Sequence, residues 1–134
     1  TLDRRCTEAQ IRVIGARAAN VVVMDDVEIG PGALLCPFVT LTSNIRIGRC
    51  FHANLYSYVE HDCVIGDYVT FAPGVRCNGN VTIGDSAYIG SGAVIRQGLR
   101  IGPGATIGMG AVVTKDVPAG ATVIGNPARL MEKR

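Results

Sequence analysis

The feature that most constrains this chain is a six-residue rhythm. Ile-Gly recurs at 29–30, 47–48, 65–66, 83–84 and 101–102, an interval of 18, and a second Ile-Gly series at 89–90 and 107–108 keeps the same interval. Stepping by six from Ile29 gives Leu35, Leu41, Ile47, Ala53, Val59, Ile65, Phe71, Cys77, Ile83, Ile89, Ile95, Ile101, Ile107 and Val113, so all fifteen positions are apolar. Four residues after each comes another small or apolar residue, with Ser57 the one polar exception. Two inward residues on a short strand followed by a two-residue turn make one six-residue side. Three sides close an 18-residue coil. Coils stacked about 4.8 Å apart then form a triangular β-solenoid with a thin aliphatic core. Pro31-Gly32, Pro73-Gly74 and Pro103-Gly104 occupy turn slots and suit tight turns. A helical domain would not hold such a phase over fifteen units.

Composition agrees with a narrow prism. The chain has 134 residues, no Trp and only seven Phe or Tyr, so aliphatic side chains must fill the core. A net charge of +2 without a basic run gives no reason to expect nucleic acid or a polybasic membrane anchor. Apolar runs are all interrupted before they reach the length of a bilayer span, and no signal peptide is visible. Five scattered cysteines without C-x-x-C spacing indicate neither a disulfide framework nor a zinc site, so a reduced, cytoplasmic protein is expected. The chain begins at Thr1 rather than Met, consistent with further residues upstream. Residues 1–16 fall outside the phase and are expected to lead in. Residues 17–117 carry the β-helix, and residues 118–134 leave the repeat as a cap with a short helix after Pro127.

The turn slots sort into three corners. The first stacks Asp25-Asp26, Ser43-Asn44, His61-Asp62, Gly79-Asn80, Gln97-Gly98 and Lys115-Asp116. The second includes Pro31-Gly32, Arg49-Cys50, Asp67-Tyr68 and Asp85-Ser86. The third includes Pro37-Phe38, Leu55-Tyr56, Pro73-Gly74, Ser91-Gly92 and Met109-Gly110. His61 thus projects from a corner, with Gly79 one strand spacing away on the next coil. A solvated turn is the plain alternative for His61-Asp62. His52 points outward from the side between the second and third corners, but two histidines do not make a three-histidine zinc site. No metal is expected, and Cys63 and Cys77 fill inward slots as small hydrophobes.

These repeats resemble the bacterial hexapeptide-repeat transferases, which fold as left-handed parallel β-helices and act as trimers. Within them, "VEHDCVIGDYVTFAPGVRCNGNVTIG" and "GAVVTKDVPAGATVIGNPARL" look like the sialic acid O-acetyltransferase and UDP-sugar N-acetyltransferase family, over roughly residues 17–130. Members usually carry an N-terminal nucleotide-sugar-binding domain. The resemblance implies an acetyl-CoA-dependent transferase acting on an amino or hydroxyl group of a sugar or nucleotide sugar. It makes His61 the general base, Asp62 its orienting carboxylate and Gly79 the donor of an oxyanion-binding N–H. Glu60, facing outward one residue before the corner, competes with Asp62 for the orienting role. The resemblance also implies acceptor contact by Asn54 and acetyl-CoA contact by Thr70, a position often His in the family. Ser91 and Met109 match backbone contacts to the pantetheine arm, while Lys115, Arg129 and Lys133 are candidates for CoA phosphates. Asn54 and Thr70 lie on the side opposite His61, so a shared site requires two subunits and a homotrimer with interfacial sites is expected. A serine-type acetyltransferase of the same fold and a non-catalytic β-helix scaffold are the alternatives.

Overall fold

A computed structural model describes residues 2–131 and shows a parallel β-solenoid. Its strands are two or three residues long and form three sheets of eight, six and five strands. Through the coils up to Val113, neighbouring strands of a sheet pair in parallel at an offset of 18, as in Tyr58↔Arg76 and Val59↔Cys77; the last parallel pair, Thr106↔Thr122, is offset by 16. The offset of 18 is the register the sequence period requires. Successive residues of a strand point alternately outward and inward across the pleat, so a two-residue strand presents one of each.

The inward positions make a continuous core running along the prism. Fourteen of the fifteen six-step residues are buried. Ile29 is not, because it lies in the first coil, where fewer neighbours cover it. Phe51 and Phe71 meet edge to face inside the prism, with ring centres 5.2 Å apart. Ser57 is the buried polar exception. Its hydroxyl donates to the Ala72 carbonyl at 3.0 Å and accepts from the Val75 N–H at 3.2 Å, so no hydrogen-bonding group is stranded.

Corner geometry follows from the second residue of each turn from Asp26 to Gly110, which adopts positive φ. On the first corner these residues are Asp26, Asn44, Asp62, Asn80 and Gly98, the types that tolerate this conformation. From Asn44 onward their N–H groups bond to the preceding coil, as in Asp62 N–H to Ser43 O at 3.1 Å and Asn80 N–H to His61 O at 2.7 Å. The corners are therefore hydrogen-bonded columns.

The ends depart from the repeat. A helix spans Leu2–Glu8, and the first strand, Ala16–Arg17, already pairs with Leu34–Leu35. Asp3 fastens the helix to the second corner, accepting from Arg49 Nη2 at 2.8 Å and from the Tyr68 hydroxyl. At the other end, Thr122–Ile124 continues the eight-stranded sheet beside Thr106–Ile107. Arg129–Leu130 then returns as an antiparallel strand against it. The expected helix after Pro127 does not form. That segment instead pairs with a sheet edge that would otherwise be open, with Met131 N–H bonded to Thr122 O at 2.8 Å. Lys133 lies outside the described residues.

Candidate active site

His61 occupies the first turn position of its corner, immediately after the inward Val59 and outward Glu60. Its Nδ1 lies 2.8 Å from Asp62 Oδ2. An ionised carboxylate only accepts, so Nδ1 carries the hydrogen and Nε2 is left with its lone pair. The positive φ of Asp62 folds its side chain back beside the imidazole. Asn44, one coil earlier on the same corner, donates from Nδ2 to Asp62 Oδ1 at 2.6 Å. Both carboxylate oxygens are thereby occupied, and the Asn44–Asp62–His61 chain fixes the ring. Glu60 makes no contact of this kind with the imidazole.

The charges follow from the contacts. The hydrogen bond to Asp62 raises the His61 pKa above its ordinary value, with a further contribution from the charge of Asp62. The same bond, then that from Asn44, lowers the Asp62 pKa. Both groups are about half exposed, so the pair is held by geometry at a solvent-facing corner.

Gly79 lies against the ring. A Cβ at that position would come within 2.6 Å of His61 Cε1 and Nε2, so only glycine admits the imidazole in this pose. Its N–H donates to no other group among the described residues. On the second corner the corresponding N–H groups are capped by carboxylates of the next coil: Arg49 N–H by Asp67 at 2.9 Å, and Asp67 N–H by Asp85 at 2.8 Å. The Gly79 donor is open beside a base. Underneath, the buried Cys63 thiol reaches the Asn78 carbonyl at 3.3 Å and the His61 carbonyl at 3.6 Å, joining the two coils at this corner.

The remaining candidates divide by location. Asn54 and Thr70 project from the eight-stranded sheet, away from His61 in the same chain. His52 lies between them and contacts Asn54 Nδ2 at 3.5 Å and Cys36 Sγ at 3.8 Å. Ser91 and Met109 stack on the third corner, where Gly110 N–H bonds Ser91 O at 2.8 Å, and both side chains are exposed. Lys115 and Arg129 meet in one hollow of about 270 Å³ at the C-terminal end of the prism. Among the described residues no cluster of three His, Cys, Asp or Glu side chains could hold a metal ion. No helix among them is long and apolar enough to cross a membrane.

Sequence reasoning missed Asn44, although the 18-residue register places it directly beside Asp62. It also missed a groove of about 370 Å³ on the six-stranded side, lined by Phe38, Thr40, Thr42, Tyr56, Tyr58 and Glu60. Phe38 and Tyr56 stack there with ring centres 4.8 Å apart.

A parallel β-solenoid with an 18-residue coil and a His-Asp pair at one corner defines a hexapeptide-repeat protein. The bacterial transferase hexapeptide pattern (six repeats) matches residues 80–115, within the coils described above. It is 63% identical over 128 residues to GDP-perosamine N-acetyltransferase of Escherichia coli O157:H7, covering 92% of this chain and 58% of that protein. The structure of WeeI from Acinetobacter baumannii AYE is 61% identical and superposes with a TM-score of 0.95, over 97% of this chain and 64% of that one. PerB from Caulobacter crescentus, solved in complex with CoA and GDP-perosamine, is 29% identical. It has a TM-score of 0.96, over 98% of this chain and 63% of the other. The chain therefore spans less than two thirds of the length of these relatives.

Proposed function

We propose that this chain is the catalytic solenoid of an acetyl-CoA-dependent acetyltransferase whose acceptor is an amino or hydroxyl group of a sugar or nucleotide sugar. One observation carries the reading: an imidazole with Nδ1 bonded to a carboxylate and Nε2 free, packed on a glycine whose N–H is open. The relatives that bind CoA and GDP-perosamine make a GDP-linked amino sugar the first acceptor to test.

In the proposed reaction the acceptor nitrogen or oxygen attacks the thioester carbonyl carbon while His61 Nε2 takes its proton. The new bond to carbon forms and the carbonyl oxygen becomes an oxyanion, to which the Gly79 N–H donates. The C–S bond then breaks, and the thiolate leaves with the proton held on His61. Asp62 keeps the tautomer and stabilises the imidazolium. Thr70 would meet the acetyl end of the donor, Ser91 and Met109 the pantetheine arm, and the Lys115–Arg129 hollow the phosphates.

Asn54 and Thr70 face away from His61 within one prism, so a site using all three is assembled from two copies in a homotrimer. The test is turnover of acetyl-CoA and GDP-perosamine by the His61→Ala variant. Loss of general-base catalysis predicts a fall of roughly 10²- to 10⁴-fold with CoA binding retained. Unchanged turnover overturns the mechanism.

A further inference from the structure

Glu60 is the residue beside the base that the reaction above does not use. It is half-buried on the six-stranded side, between Thr42 on the preceding coil and Asn78 on the next. It belongs to the outward row just after the strands of that side, Met24, Thr42, Glu60, Asn78, Arg96 and Thr114, and is the one acid in it. Its carboxylate has no hydrogen-bond or salt-bridge partner among the described residues. Arg76, on the same side and stacked under Tyr58, makes no ion pair with it. Neighbouring groups are already committed: Asp62 to His61 and Asn44, and Asn78 Oδ1 to the Tyr58 hydroxyl at 3.0 Å. An unneutralised carboxylate thus forms one end of the groove lined by Phe38, Thr40, Thr42, Tyr56 and Tyr58, one residue from the base.

We propose that Glu60 receives the ammonium of an amino-sugar acceptor in this groove and so selects an amine over a hydroxyl. The inference rests on the acetyltransferase reading. The groove, about 370 Å³, is within the range of small-ligand sites. It combines aromatic surface for the C–H face of a sugar ring with threonine hydroxyls for its polar edge. An alkylamine is protonated near neutral pH, so an unpaired carboxylate attracts it, whereas a neutral hydroxyl gains far less. The balance is complete: the bound ammonium releases one proton to solvent, and the freed lone pair attacks the thioester carbon. The second proton passes to His61 Nε2 and leaves with the CoA thiol. The titratable and charged groups around Glu60 are His61 and Tyr58, which feel its charge, Arg76 beside Tyr58 on the next coil, and Arg96 two coils on in the same row as Glu60.

Steady-state kinetics of Glu60→Gln and Glu60→Asp test this with GDP-perosamine and with the same nucleotide sugar bearing a hydroxyl in place of the amine. The Gln variant raises KM for the amine at neutral pH by roughly 10- to 100-fold, the worth of a charge-assisted contact. Its kcat at saturation changes much less. The KM defect shrinks as pH rises above the pKa of the acceptor amine, the Asp variant recovers part of it, and KM for the hydroxyl acceptor does not move. An unaltered KM for the amine at neutral pH, with unchanged thermal unfolding, overturns the inference. If His61→Ala is inactive in the same assay, that result leaves the acetyltransferase reading standing; if His61→Ala is fully active, the reading itself fails.

Discussion

The two carboxylates flanking His61 show how one backbone angle divides the roles of neighbouring residues. Glu60 closes an extended stretch and points away from the prism, whereas Asp62 takes the positive-φ turn position and curls onto the imidazole. This difference has a pH signature. His61 acts as a base only when neutral, and its pKa is raised by Asp62, so the rate should fall as pH drops through that raised value. Replacing Asp62 by Asn removes the main cause of the increase. The acidic limb of kcat/KM against pH should then move to lower pH, while the plateau drops by roughly 10- to 1000-fold as tautomer control is lost. An acidic limb that stays in place in Asp62→Asn would assign the perturbation to another group. The residues alone left the choice between Glu60 and Asp62 open, because both are adjacent to the same ring, and only the family resemblance favoured Asp62. The distinction depends on φ at residue 62 and on Asn44, which is close in space only because the coil repeats every 18 residues.

Among the elements, the sides of the prism were almost fully legible and its ends were not. The inward phase assigned Leu35, Ile65, Phe71, Ile95 and the rest of the buried row correctly, since a one-residue slip would turn every such side chain to solvent. At the ends the six-residue rule has no neighbour to enforce it. The helix Leu2–Glu8 is anchored by Asp3 reaching Arg49 and Tyr68, contacts 46 and 65 residues apart that no local pattern announces. Arg129–Leu130 forms a strand because an open edge beside Thr122–Ile124 outweighs a short segment's helical preference. Ser57 tests how tolerant a side is. In other coils the N–H at the position of Val75 closes directly onto the carbonyl three residues earlier, as Ala93 N–H does onto Gly90 O at 3.1 Å. Ser57→Ala removes the bridging hydroxyl but lets Val75 N–H bond Ala72 O in the same manner. The cost should be about 1 kcal/mol or less in chemical denaturation, at the low end for a buried hydrogen bond. A loss of roughly 3 kcal/mol would mean that the turn cannot close and that the hydroxyl is a structural requirement.

For the whole molecule, the prism separates what the proposed reaction needs together. His61, Gly79 and the Glu60 groove belong to the first corner and the six-stranded side, while Asn54 and Thr70 belong to the eight-stranded side. A rigid stack of hydrogen-bonded coils has no hinge that could fold one surface onto the other, so in the proposed reaction a second copy supplies the missing half. That requirement can be tested with two defective variants. His61→Ala retains an intact Asn54 surface, and Asn54→Ala retains an intact corner. Each alone should form trimers in which every site lacks one component. Co-expressed in equal amounts and mixing at random, they place an intact corner against an intact eight-stranded side in about one interface in four. Activity near a quarter of the wild-type level, from two chains that separately have little, is the expected outcome when turnover is measured on purified mixed trimers. If His61 and Asn54 served one site within a single chain, every site in the mixture would carry a defect, and activity would stay at the average of the two variants.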